Sequence, residues 1–257
     1  MKILVLGELG GELAMLDRVM RDVGLWKPDL VLFTGDVVRG EEREKLWKAR
    51  RGGTPLPAGW QDHLKAKLAQ EIDIYRRFLE EVARFRGTVR IVPGHRDAPL
   101  SAFLRVALKD AVVGSQVGLV HQSFINVGRD FVLVGFGGDI TEDERETEVV
   151  NCFPGWELSP FLEILEHLPQ DPILLTHYPP LAETIDLADG VHVGSPLLRE
   201  MIDRHRPAYV FCGHTHSSQG IEAIGRTVVV NPGSVALGNY AIVNTRKETV
   251  RFNMLEE

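Results

Sequence analysis

The chain has 257 residues, 44% hydrophobic and 25% charged, with a formal net charge of −7. That length supports one large α/β domain or two small ones, while the acidic balance argues against a general nucleic-acid binder or a protein that coats anionic membranes. Its apolar runs are strand-sized, short of the roughly 20 residues that span a bilayer.

Residues 1–7 stop too early for a signal peptide. Within them, Ile3-Leu4-Val5-Leu6 ends at Gly7-Glu8 and reads as a buried strand. Leu13, Leu16, Val19, Met20 and Val23 then repeat at helical spacing, closed by Gly24. Leu30-Val31-Leu32-Phe33-Thr34 is a second strand and ends at Gly35-Asp36, so the opening forms a βαβ unit with parallel strands. Residues 39–63 break this rhythm: 39–51 is dense in both charges and 52–57 is punctuated as a loop. Leu64, Leu68, Ile72, Tyr75, Leu79 and Val82 mark one face of a long helix. This charged helical insertion, residues 39–86, leaves directly from the Asp36 loop. It reads either as a lid or interaction surface at the site mouth or as a solvated insertion.

Val89-Arg90-Ile91-Val92 is the third strand, ending in Pro93-Gly94-His95-Arg96-Asp97, and a helix follows through Phe103, Leu104 and Leu108. Over residues 112–136 short strands alternate with turn signals, as in a second sheet added by local connections. Acidic residues crowd 139–148 after Gly137-Gly138 and read as an exposed loop or helix start, and 158–168 reads as helical. Pro172-Ile173-Leu174-Leu175-Thr176 is a buried strand ending at His177. Ser195-Pro196 opens a helix through Leu198, Met201 and Ile202. Ala208-Tyr209-Val210-Phe211 is a further buried strand, followed by Cys212-Gly213-His214-Thr215-His216. Three last strands, around Val229, Ile242 and Val250, look antiparallel. No repeat or linker divides the chain, so residues 1–257 are expected to form one domain. The two cysteines, Cys152 and Cys212, lack paired spacing, so reduced thiols and a cytoplasmic location are expected.

Glu8, Asp36, His95, His177, His214 and His216 each follow the end of a predicted core strand. The carboxyl ends of strands are where ligands bind in open α/β sheets, and carboxylates with imidazoles suit Zn, Mn or Fe. Taken singly, a histidine after a strand is commonly structural and Gly-Asp is commonly a turn. It is the shared edge that points to a metal. His63, His121, His167 and His205 lack that placement and read as surface or packing residues, and Cys212 reads as a buried inert thiol.

The succession Gly35-Asp36, Pro93-Gly94-His95-Arg96-Asp97, His177 and Gly213-His214-Thr215-His216 resembles the calcineurin-like metallophosphoesterase family. The resemblance covers nearly the whole chain and includes Asn231-Pro232-Gly233-Ser234. It implies an α/β fold, a four-layer α-β-β-α sandwich of two facing mixed sheets flanked by helices. It also implies one or two divalent transition ions, Mn, Fe or Zn, bridged by the aspartate that matches Asp36. One ion would take Asp36, His177, His214 and, where the family has Asn, His95. The other would take Asp36, His216 and an Asp-x-His pair, for which this chain has Glu8-Leu9-Gly10. Glu8 replaces the aspartate and Gly10 supplies no ligand.

The family's third-box histidine, which assists the leaving group or binds phosphate, is replaced here by Arg96, whose planar fork suits phosphate. Asp97 matches the acidic residue that orients that histidine, and here it either holds Arg96 or forms a turn. Arg96 and Asp97 are the catalytic candidates. The implied function is metal-dependent hydrolysis of a phosphodiester or phosphomonoester, in a small molecule or nucleotide, by an activated water. Gly10 and Arg96 favour an alternative: a relative that binds metal or a phosphate ligand as a sensor or scaffold.

Overall fold

Aliphatic, β-branched runs form the strands, and burial on both faces makes most of them interior strands. The computed structural model describes residues 1–24, 26–111, 116–168 and 171–255. Its first part reads β1 (Lys2–Leu6), α1 (Leu13–Val23), β2 (Leu30–Phe33), α2 (Glu41–Arg51), α3 (Trp60–Ala83), β3 (Thr88–Ile91), α4 (Leu100–Ala111) and β4 (Val117–Leu119). Next come β5 (Ser123–Val127), β6 (Phe131–Phe136), β7 (Asp139–Thr141), β8 (Cys152–Pro154), α5 (Gly155–Leu162), β9 (Asp171–Thr176), β10 (Leu187–Ala188), β11 (Val191–His192) and α6 (Pro196–His205). The last elements are β12 (Tyr209–Phe211), β13 (Gly220–Ile224), β14 (Thr227–Asn231), β15 (Asn239–Asn244) and β16 (Thr249–Met254). The start of the strand-rich block, residues 112–115, and the side chain of Leu108 lie outside the described residues.

One six-stranded sheet has the order β16-β15-β1-β2-β3-β4 and the other β13-β14-β12-β9-β6-β5. In the first, β1 to β4 are parallel and the β15–β16 hairpin adds antiparallel to β1. In the second, β6, β9, β12 and β14 are parallel, with β5 and β13 antiparallel at the edges. Val5, Leu32, Leu133, Leu175 and Phe211 belong to the apolar layer between the sheets. α1, α3 and α4 pack on the far side of the first sheet, and α5 and α6 on that of the second. These are the four layers that the family resemblance implies. Among the described residues, no helix is long and apolar enough to cross a membrane.

Three details differ from the sequence reading. β4 joins the first sheet parallel to β3, because α4 is a crossover rather than the entry to a new sheet. β14 is parallel to β12 and antiparallel only to β13, an edge strand whose side chains alternate between exposed and half-buried, which hides it from an apolar-run search. Residues 41–51 are helical although no apolar stripe marks them, since the one buried side chain of α2 is Arg43. Arg43 pairs with Glu71 of α3 and donates to the Arg96 carbonyl at 2.6 Å. A buried charge is tolerated only when paired and hydrogen-bonded in this way. Within the insertion α3 docks through its apolar face, whereas α2 is docked by polar contacts that hydropathy does not reveal.

Candidate metal centre

The loops after β2 and β3 interlock before any metal is considered. The buried Asp97 carboxylate accepts the amides of Gly94 at 2.8 Å, Asp36 and Val37 at 2.9 Å, and Val38 at 3.4 Å. The Arg96 amide donates in turn to Asp36 Oδ1 at 2.8 Å. A Cβ at Gly94 would strike the Asp36 amide and carboxylate, so this close approach requires glycine. A Cβ at Gly213 would strike Thr34 Oγ1 and come within 2.8 Å of Glu8 Oε1. Asp36 and His214 both adopt positive φ, +60° and +70°. That conformation costs an L-residue about 1 kcal/mol or more and persists where surrounding bonds enforce it.

On this frame His95, Asp139, His177 and His214 each bring one ligand atom within 4.8 Å of the others. His177 Nδ1 lies 2.7 Å from the Thr34 carbonyl, which only accepts, so the proton is on Nδ1. The Nε2 lone pair then faces His95 Nδ1 at 3.0 Å and Asp36 Oδ1 at 3.7 Å. Asp139 Oδ1 lies 3.3 Å from His214 Nδ1 and 3.8 Å from His95 Nδ1, and Asp36 Oδ2 lies 3.1 Å from His95 Nδ1. Asp36 Oδ2 and Asp139 Oδ1 are buried, yet neither has a hydrogen-bond partner among the described residues. Unpartnered carboxylate oxygens beside three imidazoles form a donor set that fits a divalent transition metal.

The electrostatics point the same way. Burial pushes Asp139 up to about 7; burial and the Asp36 charge push Glu8 up to about 8 and Asp97 to about 7. Burial opposes ionisation of Asp36 too, but His95 and His177 outweigh it and hold that carboxyl well below the usual range. Burial likewise opposes charge on His95, yet Asp139 and Asp36 raise it well above the ordinary imidazole value. Burial lowers His177 to about 4, and burial with the neighbouring imidazoles holds His214 well below its usual value. Both are therefore neutral near pH 7, with lone pairs to give. Crowded buried carboxylates that draw a proton onto His95, beside the neutral imidazoles of His177 and His214, are a site that a cation stabilises.

Asp139 is absent from the sequence-based ligand set. Its loop is tied to the β3 loop: the Gly138 amide donates to Pro93, the Asp139 amide to Asn151, and Asn151 Nδ2 to Gly94, each at 2.8 Å. The available signal was Gly137-Gly138-Asp139 after β6, one more strand end at the same edge, masked by the acidic stretch that follows. Glu44 of α2 is a second newcomer. Its Oε2 lies 3.2 Å from Arg96 Nε and 3.1 Å from Nη2, and the His95 imidazole 3.9 Å away, with Lys48 and Arg96, holds its carboxyl well below the usual range. Nothing distinguishes it in sequence from the other charges of α2.

Asp36 borders the four-residue cluster without being one of the four, and Glu8 and His216 stand outside it. Glu8 Oε1 accepts the His214 amide, while its buried Oε2 has no partner among the described residues. His216 is half-buried; burial lowers it while the Asp36 charge acts in the opposite direction. Gly10, at φ +54°, brings no donor. Cys212 is fully buried, and burial pushes its thiol up. A groove of about 490 Å³ is bounded by Ile140, Trp156, Tyr178 and Leu197; Ile140 and Tyr178 directly follow Asp139 and His177 in the chain.

Over residues 1–255 the chain matches the family described as metallophosphoesterase, calcineurin superfamily. A curated relative, an uncharacterised protein of Methanocaldococcus jannaschii, is 38% identical over 82 residues, 30% of this chain. The match spans 36% of that relative's length. One solved chain superposes with a TM-score of 0.89 at 25% identity, covering 99% of each chain. A protein from Thermus thermophilus superposes at 0.74 with 22% identity over 98% of each chain. A dimetal phosphatase from Danio rerio does so at 0.61 with 12% identity, over 94% of this chain and 91% of that one. The last two likenesses concern the fold.

Proposed function

From a chain that belongs to the metallophosphoesterases of the calcineurin superfamily, we propose a metal-dependent phosphoesterase acting on a phosphodiester or phosphomonoester, in a small molecule or nucleotide. The observation that supports this reading is the buried donor set itself, with Asp36 Oδ2 and Asp139 Oδ1 unpartnered among the described residues. Asp36, His95, Asp139, His177 and His214 would hold one Mn, Fe or Zn ion. Glu8 and His216 would hold a second more weakly. A bound divalent metal supplies Lewis acidity toward a phosphoryl oxygen and lowers the pKa of water.

The chain's own residues do the rest. The Thr34 carbonyl fixes the tautomer of His177 and so aims its lone pair. Arg96 binds the phosphoryl group and stabilises charge that develops on it. Asp97 acts through the backbone, holding the loops of Asp36 and Arg96 in register. Fold alone would not license an activity; the retained donors support it. Both cysteines are buried and free, in keeping with a reducing, cytoplasmic setting.

Gly10 without a donor, and Arg96 already paired with Glu44, favour a second reading: a metal or phosphate binder with little turnover. One experiment separates the two. Chain purified without chelators should carry metal, and added Mn should drive hydrolysis of bis(p-nitrophenyl) phosphate or p-nitrophenyl phosphate that a chelator abolishes. Metal without turnover on a broad phosphoester panel leaves the binder, and no metal at all removes both.

A further inference from the structure

We propose that Glu44, delivered by α2 of the charged insertion, is a positioning residue of the metal centre: it stands behind His95 and draws Arg96 off Asp36, so that the donor set stays open to a cation. The inference rests on the metal-centre reading above and adds the insertion to it.

His95 has two nitrogens with different tasks. Nδ1 faces the cluster, while Nε2 lies 3.9 Å from Glu44 Oε2. A ligating imidazole usually has its other nitrogen backed by a carboxylate, a carbonyl or water. His177 has the Thr34 carbonyl for this. For His95 the carboxylate at that end is Glu44, at a separation that one water or a small closure bridges.

Arg96 is the cation most able to compete for the donors. Its Nε lies 3.9 Å from Asp36 Oδ2, an oxygen without a hydrogen-bond partner among the described residues. Glu44 Oε2 lies nearer, 3.1 Å from Nη2 and 3.2 Å from Nε. Glu44 thus takes the guanidinium, and Asp36 Oδ2 keeps only His95 Nδ1, 3.1 Å away, in front of it. Without Glu44 the other carboxylate within 4 Å of the Arg96 guanidinium is Asp36.

The helix that brings Glu44 is fixed in place. The preceding residue, Arg43, is buried, pairs with Glu71 and donates to the Arg96 carbonyl at 2.6 Å. Lys48, exposed on the same helix, donates to the other Glu44 oxygen, Oε1, at 2.6 Å, a contact that ties α2 to nothing else. α3 is packed on the first sheet through Tyr75, Phe78, Leu79 and Val82, so α2 could swing open only by breaking the buried Arg43–Glu71 pair, which is strongly unfavourable. The insertion serves as a wall.

The test is calorimetric titration of the metal-stripped chain with Mn²⁺, alongside thermal melting of the metal-free protein. Glu44→Gln should lose about tenfold or more in Mn²⁺ affinity, the scale for groups that support a ligand, with unchanged melting. A residue that merely stabilised the helix would lower melting instead. Lys48→Ala, which removes the other partner of Glu44, should bind Mn²⁺ as the natural chain does. Should Glu44→Gln fail to fold, Glu44→Asp draws the carboxylate back by one methylene and should also lose affinity. Natural affinity in Glu44→Gln, or an equal loss in Lys48→Ala, overturns the proposal while leaving the phosphoesterase reading intact. A natural chain that binds no Mn²⁺ sinks that reading, and this inference with it.

Discussion

The two halves of the candidate centre start from the same kind of strand end and finish very differently. On one side His95, Asp139, His177 and His214 converge from several strand ends with Asp36 against them, and two buried carboxylate oxygens lack a hydrogen-bond partner among the described residues. On the other, Glu8 has one oxygen on the His214 amide, Gly10 carries nothing, and His216 is only half-buried. The sheet edge makes the place, and single loop residues decide whether it is furnished. The halves are also linked, because Glu8 holds the amide of His214 at its unusual φ. A change at Glu8 should therefore be felt in the complete half as well.

The largest expected effect attacks the complete half. His177→Ala and Asp139→Asn should each cost more than the ~10–100-fold typical of residues that merely support a ligand, read as tight Mn²⁺ affinity by calorimetry. Natural affinity in Asp139→Asn would place Asp139 beside the centre rather than in it, and the difference between the halves would shrink.

The next effect builds up the poor half. The natural chain should show one tight metal equivalent and a weaker second. Two equally tight equivalents would erase the contrast. Glu8→Asp with Gly10→His should add a second tight equivalent. A Cβ at Gly10 meets only Arg39 Cγ, at 3.7 Å, so space is available. The φ of +54° sets the penalty, about a kcal/mol or more for a histidine. A folded variant with two metals and strongly increased phosphodiester hydrolysis, beside a natural chain with none, would favour the binder reading. Little gain beside measurable natural turnover would favour the enzyme.

Much of this was legible in the sequence, for a definite reason. Continuous aliphatic runs mark interior parallel strands, and polar residues placed just after them share one edge, so the side chains of Asp36, His95, His177 and His214 that the structure brings together could be grouped without coordinates. Asp139 could not, because two glycines and an acidic stretch make it look like loop. Glu44 could not either, because a helix docked through Arg43 and Glu71 has no apolar period to read. The role of Asp97 stayed open for a related reason. Its four partners are backbone amides, which no side-chain motif records.

A smaller effect concerns Arg96, the group proposed to meet the phosphoryl group rather than the metal. Arg96→Ala should weaken inorganic phosphate binding to the Mn-loaded chain by about 1.5–3 kcal/mol, the range for a hydrogen bond to a charged group. Tight metal content should remain. Unchanged phosphate affinity together with an unchanged rate would remove Arg96 from the mechanism and leave its pairing with Glu44 as its main role.

The smallest effect tests what holds the Asp139 loop, and so why one half is furnished. His121 packs against Phe136 and Phe153 with ring centroids 5.6 and 5.0 Å away, and its Nδ1 accepts the Gly137 amide at 3.0 Å. An accepting Nδ1 puts the ring proton on Nε2 and requires a neutral imidazole. Burial, helped by the Arg145 charge, pushes His121 down to about 4 from 6.5. The unfolded chain therefore takes up this proton first as pH falls. Stability that is full above 6.5 is lost progressively toward pH 4 and no further below it. For a ring with a partly exposed edge the loss is about 2 kcal/mol at most. His177, His214 and His216 are lowered too and share that acid slope, so the informative quantity is a difference. His121→Asn offers an amide oxygen near the position of Nδ1 but does not titrate. Denaturant unfolding of the metal-free proteins between pH 7 and 4.5 should show the natural chain losing more stability on acidification than the variant. Parallel slopes would mean that the Gly137 contact is idle, and that the Asp139 loop depends on its bonds to Pro93 and Asn151 alone.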